Sequence, residues 1–201
     1  MSETEHGDHK AQMKKLQAEQ AKRRRELKDP ERGLVLVHTG DGKGKSSSAF
    51  GVMARALGWG QNVAVVQFIK GKWKTGEKQF FARFPDLVDW HVMGDGFTWD
   101  TQDRDRDIEA AEKALAKAGE LIGSGDYDLV LLDEINIALR YDYLTPEAVV
   151  DVLERRGNTR VILTGRDAKP ELMEYADTVS EMREIKHAFH AGIRAQQGLD
   201  F

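Results

Sequence analysis

The stretch Thr39-Gly40-Asp41-Gly42-Lys43-Gly44-Lys45-Ser46 has the residue types of a phosphate cradle. Glycines let the chain curl until successive N–H groups point into one hollow. Lys45 brings a full positive charge, and the Ser46 hydroxyl is an oxygen ligand of the kind magnesium takes. A helix starting near Lys45 would aim its positive dipole end at the same anion. The loop is shorter than usual. Only Asp41, Gly42 and Lys43 separate Gly40 from Gly44-Lys45-Ser46, where the common pattern has four residues. Such a hollow still predicts a bound triphosphate, in a different register or orientation, with Lys43 as a further cation. Ser47 and Ser48 extend the run of hydroxyls; one of the three serves the metal, and the others bond locally or cap the helix.

A second group of reactive side chains closes the run Asp128-Leu-Val-Leu-Leu-Asp133-Glu134. In open parallel sheets, ligands gather at the carboxyl ends of strands. Asp133 and Glu134 are thus expected to face the phosphate loop, and a nucleotide-bound magnesium needs at least one such carboxylate. Successive strand residues point to opposite sides, so the two should do different work. Lys70 and Gly71 end another apolar run, and Arg166 follows a third, bringing a cation toward the phosphates. Phe97 and Trp99 stand in the glycine-bracketed loop Gly94-Asp-Gly-Phe-Thr-Trp99. Either they belong to the core, as large aromatics usually do, or they wall a ligand pocket. His187 and His190, three apart, read as a local pair and not as a metal set.

These residues need a scaffold. Apolar runs at 34–37, 63–69, 129–132 and 160–164 read as buried strands, with further strands near 88–92 and 178–182. Helical patterns fall at 46–57, with Ala49, Val52, Met53 and Ala56 on one face and Gly58 at its end, and at 105–122, whose first turn is rich in Asp. Thr145-Pro146 opens another helix. Strands that are apolar throughout and alternate with helices imply an α/β fold, with a mostly parallel sheet flanked by helices on both faces. Joined to the loop and the carboxylates, this is a P-loop nucleotide-binding fold that binds ATP. The domain spans 33–201. Residues 1–32 are rich in Lys, Arg, Glu and Gln, and read as a solvated tail or as a helix that docks when a substrate or partner binds.

The chain has 201 residues, 40% of them hydrophobic and 32% charged, enough for one core with a solvated surface. A net charge of −4 counts against gripping nucleic acid, where affinity comes from neutralising phosphates. With no cysteine, thiolate metal sites and cysteine nucleophiles are excluded. No apolar stretch is long enough to span a membrane and no signal core opens the chain, so a soluble cytoplasmic protein is expected.

Loop and carboxylates alone do not choose a reaction; kinases, switches and transferases share them. The finer pattern does. Thr39-Gly-Asp-Gly-Lys-Gly-Lys-Ser46, Val65-Val-Gln-Phe-Ile-Lys-Gly71, His91-Val-Met93, Gly96-Phe-Thr-Trp99 with Thr101-Gln102, Leu132-Asp-Glu134, Tyr141-Asp-Tyr-Leu144, Thr164-Gly-Arg166, Ala176-Asp-Thr-Val-Ser-Glu181 and Lys186-His-Ala-Phe189 with Ala191-Gly192, taken in order, resemble the P-loop type of ATP:cob(I)alamin (corrinoid) adenosyltransferases over about residues 31–201. The resemblance implies transfer of the 5′-deoxyadenosyl group of ATP to Co(I) of a corrinoid, with triphosphate leaving. It implies that Gly40 to Ser46, with Thr39 and Ser47, hold the triphosphate in a reversed sense, which would account for the short loop. Lys45 would be the main charge, Ser46 with Glu134, and then Asp133, would serve Mg2+, and Arg55 would lie near the ribose. Phe97 and Trp99 resemble a pair that closes the lower face of the corrinoid and eases reduction of Co(II). A reduced flavoprotein donor, a homodimer and an N-terminal segment folding over the active site are implied likewise. Ser46-Ser47 stands where many relatives carry Thr-Thr; the hydroxyl is kept. Two rival readings use the same loop: a small-molecule kinase, which would release ADP, and a non-catalytic ATP-dependent switch.

Overall fold

Short runs of Val, Leu, Ile and Ala with no polar alternation have no face to offer water, so they form strands covered on both sides. The computed structural model describes residues 3–69, 75–94 and 103–200. Its strands are β1 (Val35–Thr39), β2 (Val63–Gln67), β3 (Val88–Val92), β4 (Leu129–Asp133), β5 (Arg160–Thr164) and β6 (Thr178–Glu181), forming a six-stranded sheet in the order β3-β2-β4-β5-β1-β6. Every pairing is parallel. All carboxyl ends therefore open on one edge, where Thr39, Gln67, Asp133 and Thr164 come together.

Helix α2 (Lys45–Leu57) buries Ala49, Phe50, Met53 and Ala56 at helical spacing. It packs on the face carrying Val63, Val65, Leu129, Leu131 and Ile162. Phe81 from α3 (Gly76–Phe81) joins there, and Trp90 stacks on Phe50 at 5.5 Å between ring centroids. The opposite face carries Val35, Val37, Val66, Val130, Leu132, Val161 and Leu163. It is covered by α4 (Arg104–Ser124), α5 (Ile135–Arg140), α6 (Pro146–Leu153) and α7 (Pro170–Tyr175). Fully burying one such Leu or Ile stabilises the fold by about 1.5–3 kcal/mol, so the two apolar layers fix where the strand ends lie.

The caps follow from residue type. Thr145 accepts a hydrogen bond from the Ala148 N–H at 3.2 Å with Pro146 at the first helical position, and Asp103 accepts from the Arg106 N–H at 3.3 Å. Gly58 ends α2 in a right-handed conformation, and the left-handed residue of that turn is Gly60, at φ 70°. Helices α3, α5 and α7 have six residues each and are absent from the sequence pattern. So few residues show no helical period, and tertiary packing holds them.

The chain forms two compact units, Met1–Glu31 and Arg32–Phe201. In the first, Glu3–Glu26 is a helix, α1, where composition leaves a solvated tail and a docking helix both open. Lys, Arg, Glu, Gln and Ala are all strong helix formers, so a composition that forbids a core does not forbid a helix. Its side chains from residue 9 onward are exposed, and Arg23, Arg24 and Arg25 lie in the last turn, the end that favours cations.

Candidate active site

The loop between β1 and α2 carries two positive-φ glycines, Gly40 at 97° and Gly44 at 111°. Gly44 has open space around its missing Cβ, so its backbone conformation is the whole requirement there. Gly42 is needed for closeness: a Cβ would sit 2.7 Å from the Arg183 carbonyl oxygen. The Gly42 N–H donates to the Met182 oxygen at 2.7 Å and the Met182 N–H to the Thr39 oxygen at 2.8 Å, so the chain leaving β6 braces the loop. Thr39 Oγ1 accepts from the Ala168 N–H at 3.0 Å, tying the loop's start to the turn after β5.

Lys45 is buried, and its Nζ donates to the Gly42 oxygen at 2.6 Å. Burial holds its pKa below the ordinary lysine value, opposed by the negative charge of Glu134 and reinforced by Arg166. Lys43, by contrast, is exposed, and its Nζ is ion-paired with Asp200.

Asp133 and Glu134 take different work, as neighbouring residues at a strand end must. Asp133 is buried with both oxygens engaged: Thr164 Oγ1 donates to Oδ1 at 2.9 Å and Gln67 Nε2 donates to Oδ2 at 3.0 Å. Trp90 Nε1 holds Gln67 in turn at 2.9 Å. Thr164 Oγ1 also accepts the Glu134 N–H at 2.9 Å. One chain of hydrogen bonds thus runs across β3, β2, β4 and β5 and ends on the backbone of Glu134. That residue sits at φ 62°, a left-handed conformation costing a non-glycine residue about 1–2 kcal/mol. Its Oε2 is buried without a hydrogen-bond partner among the described residues. Burial, and then the charge of Asp133, push the Glu134 carboxyl up to about 7, against the pull of Lys45 and Arg166. Gly165, at φ 128°, makes the room: a Cβ there would lie 3.3 Å from Glu134 Oε2 and 2.9 Å from the Asn136 Cβ.

These groups open into one cleft of about 510 Å³. Ser46, Ser47, Glu134, Arg140, Arg166 and Asp200 form its polar part, and Phe50, Ile69, Ile137 and Tyr141 its apolar part. Ser46, Ser47, Glu134 and Arg166 therefore line one cleft. Asp133 meets the cleft as a carboxylate braced through both oxygens, and Glu134 has an oxygen with no hydrogen-bond partner among the described residues. Arg55 is not brought there. It lies ten residues beyond Lys45, about 15 Å along the axis, in the last turn of α2. It lines a separate cavity of about 570 Å³ with Leu34, Leu36, Trp59 and Arg160 at the amino ends of the strands. Lys70, Gly71, Phe97, Trp99, Thr101 and Gln102 lie outside the described residues. Arg140 and Asp200 line the cleft without having been expected. Arg140 carries no local motif, and Asp200 is 157 positions from the lysine it pairs with.

Among the described residues no group of His, Cys, Asp and Glu is clustered tightly enough to hold a metal by itself. A divalent cation at Glu134 would thus need oxygens from Ser46 and from bound phosphate, which is how nucleotide-bound magnesium is held. An ionisable carboxylate with an unmatched buried oxygen, beside a serine hydroxyl, fits that ion. No helix among the described residues is long and apolar enough to cross a membrane.

The family model described as ATP:corrinoid adenosyltransferase BtuR/CobO/CobP matches residues 31–201. A corrinoid adenosyltransferase of Pseudomonas aeruginosa is 58% identical over 172 residues, covering 85% of each chain. That of Escherichia coli K12 is 47% identical over 172 residues, 85% of this chain and 87% of its own. The corrinoid adenosyltransferase CobA of Salmonella typhimurium is 46% identical with the same coverage, 85% and 87%.

Proposed function

The chain belongs to the ATP:corrinoid adenosyltransferase family, and on that premise we propose that it transfers the 5′-deoxyadenosyl group of ATP to the cobalt of a Co(I) corrinoid, releasing triphosphate. The observation that carries the reading is the cleft itself. Ser46 and Ser47, which follow a glycine loop one residue short, line it with Arg166 and the Glu134 carboxylate beside an apolar wall of Phe50, Ile69, Ile137 and Tyr141, and the buried Lys45 lies close enough to feel the charges of Glu134 and Arg166.

The reaction asks little covalent chemistry of the protein. The cobalt electron pair forms the Co–C5′ bond, the C5′–O5′ bond breaks, and its electrons leave with triphosphate; cobalt passes from Co(I) to the Co(III) level. What the residues supply is charge and position. Lys45, Lys43 and Arg166 neutralise the departing triphosphate. The loop N–H groups and the start of α2 receive its oxygens. Loss of the Lys45 Nζ bond to Gly42 frees that ammonium for phosphate. Glu134 and Ser46 would hold Mg2+, which when bound supplies further positive charge to the triphosphate. Asp133, fixed by Thr164 and Gln67, keeps Glu134 in place. The apolar wall keeps water from the reacting centre.

The same proposal includes Phe97 and Trp99 as the groups covering the lower face of the corrinoid, a reduced flavoprotein as electron donor, ordering of the N-terminal segment 1–32 when substrate binds and a homodimer; each rests on the family resemblance. The function is tested by mixing protein, ATP and chemically reduced cob(I)alamin. A light-sensitive Co–C absorption spectrum that needs both ATP and protein is expected. No corrinoid-dependent change would overturn the reading.

A further inference from the structure

The loop's exposed cation is held by the far end of the chain. After β6, Met182 and Arg183 pass against Gly40 and Gly42, and the chain then returns to the loop at Asp200. A tight turn presents that residue: the Leu199 and Asp200 N–H groups donate to the Gln196 oxygen at 3.2 and 2.8 Å, and the Gln196 N–H donates back to Asp200 Oδ2 at 2.8 Å. Asp200 Oδ1 takes Lys43 Nζ. Asp200 also lines the cleft that holds Ser46, Glu134 and Arg166. A carboxylate on a phosphate-loop lysine offers the same charge-assisted acceptor as a phosphate oxygen. Both cannot have the same ammonium at full strength.

We propose that Asp200 is a built-in competitor for the leaving group: its carboxylate and the triphosphate contend for Lys43, so the turn Gln196–Asp200 yields as triphosphate seats and returns as it leaves. This rests on the reading of Gly40 to Ser46 as the triphosphate site. A leaving group of several negative charges, gripped by Lys43, Lys45 and Arg166, is slow to release. An internal anion that replaces it at one cation weakens the grip on every phosphate species by the same factor. The Lys43 bond holds the Asp200 carboxyl below its ordinary pKa, so the competitor is charged at neutral pH. An exposed ion pair of this kind shifts a competing equilibrium by about two- to fivefold.

Calorimetric titration of inorganic triphosphate into the full chain tests this, using the wild type, Asp200→Asn, Lys43→Ala and the double variant. Asparagine keeps an oxygen for the Gln196 N–H and loses the charge. Asp200→Asn should bind triphosphate about two- to fivefold tighter, and the gain should vanish in the Lys43→Ala background. Equal or weaker binding by Asp200→Asn, or a gain that persists without Lys43, overturns the proposal. In the same wild-type protein, triphosphate should speed hydrogen exchange at the Leu199 and Asp200 amides; protection of those amides would also overturn it. If the wild type binds no triphosphate, the loop assignment itself fails, a result distinct from equal binding by wild type and variant.

Discussion

Replacing Glu134 by Gln isolates the most unusual charge in the cleft. The carboxyl's Oε2 is buried with no hydrogen-bond partner among the described residues, beside Asp133, and its pKa rises from 4.5 to about 7. A raised acid binds its proton more tightly when folded than when unfolded. Native stability is therefore favoured at low pH, falls as pH rises from about 4.5 through about 7, and levels off above. At 1.36 kcal/mol per pH unit over that window, the ionised group costs about 3 kcal/mol. The amide introduced by Glu134→Gln does not titrate. Urea denaturation of nucleotide-free protein at half-unit steps from pH 4.5 to 8.5 measures the difference. The wild type should lose about 3 kcal/mol relative to Glu134→Gln across the window, and the variant should be the more stable protein above pH 7. Subtracting the two curves cancels the histidines and other shared groups. A difference that stays flat within about 1 kcal/mol would refute the claim that this carboxylate is shielded and unmatched.

Other perturbations read other parts of the site. Lys45→Ala should lose at least about tenfold in ATP affinity by calorimetry, since a charge-assisted bond contributes about 1.5–3 kcal/mol; affinity within twofold of wild type would remove Lys45 from the phosphate site. Gly165→Ala places a Cβ 2.9 Å from the Asn136 Cβ at φ 128° and should cost about 1–3 kcal/mol of stability, read as a lowered urea midpoint; an unchanged midpoint would mean the backbone there relaxes freely. The double change Phe97→Ala, Trp99→Ala should spare activity from preformed Co(I) and depress activity that requires reduction of Co(II); equal loss in both assays would argue against a lower-face role.

How far the site could be read from sequence depends on how far apart its parts lie. The segment Val35 to Leu57 declares itself because strand, glycine loop and helix are contiguous, each with its own local signal. Asp133-Glu134 could be located because an apolar run ends there. Their division of labour could not, since it depends on Gln67 and Thr164 arriving from two other strands. Nor does a sequence mark Glu134 Oε2 as unmatched, or show that Gly165 approaches it so closely. Asp200 is invisible for the same reason, being far along the chain from Lys43 and in a segment of ordinary turn composition. Arg55 shows the opposite case. Its place near the ribose is implied by the resemblance, and helical rise over ten residues puts it about 15 Å along the axis from Lys45. For α1, composition leaves tail and helix open, because charged residues that cannot build a core are also good helix formers.

Phosphorus-31 spectroscopy of the products tests the central claim most directly, that the loop holds a triphosphate which leaves intact from C5′. With protein, magnesium, ATP and an excess of cob(I)alamin, each Co–C bond formed should be matched by one free triphosphate, with no ADP. ADP in place of triphosphate, or ATP left unchanged while the corrinoid is present, would contradict the account.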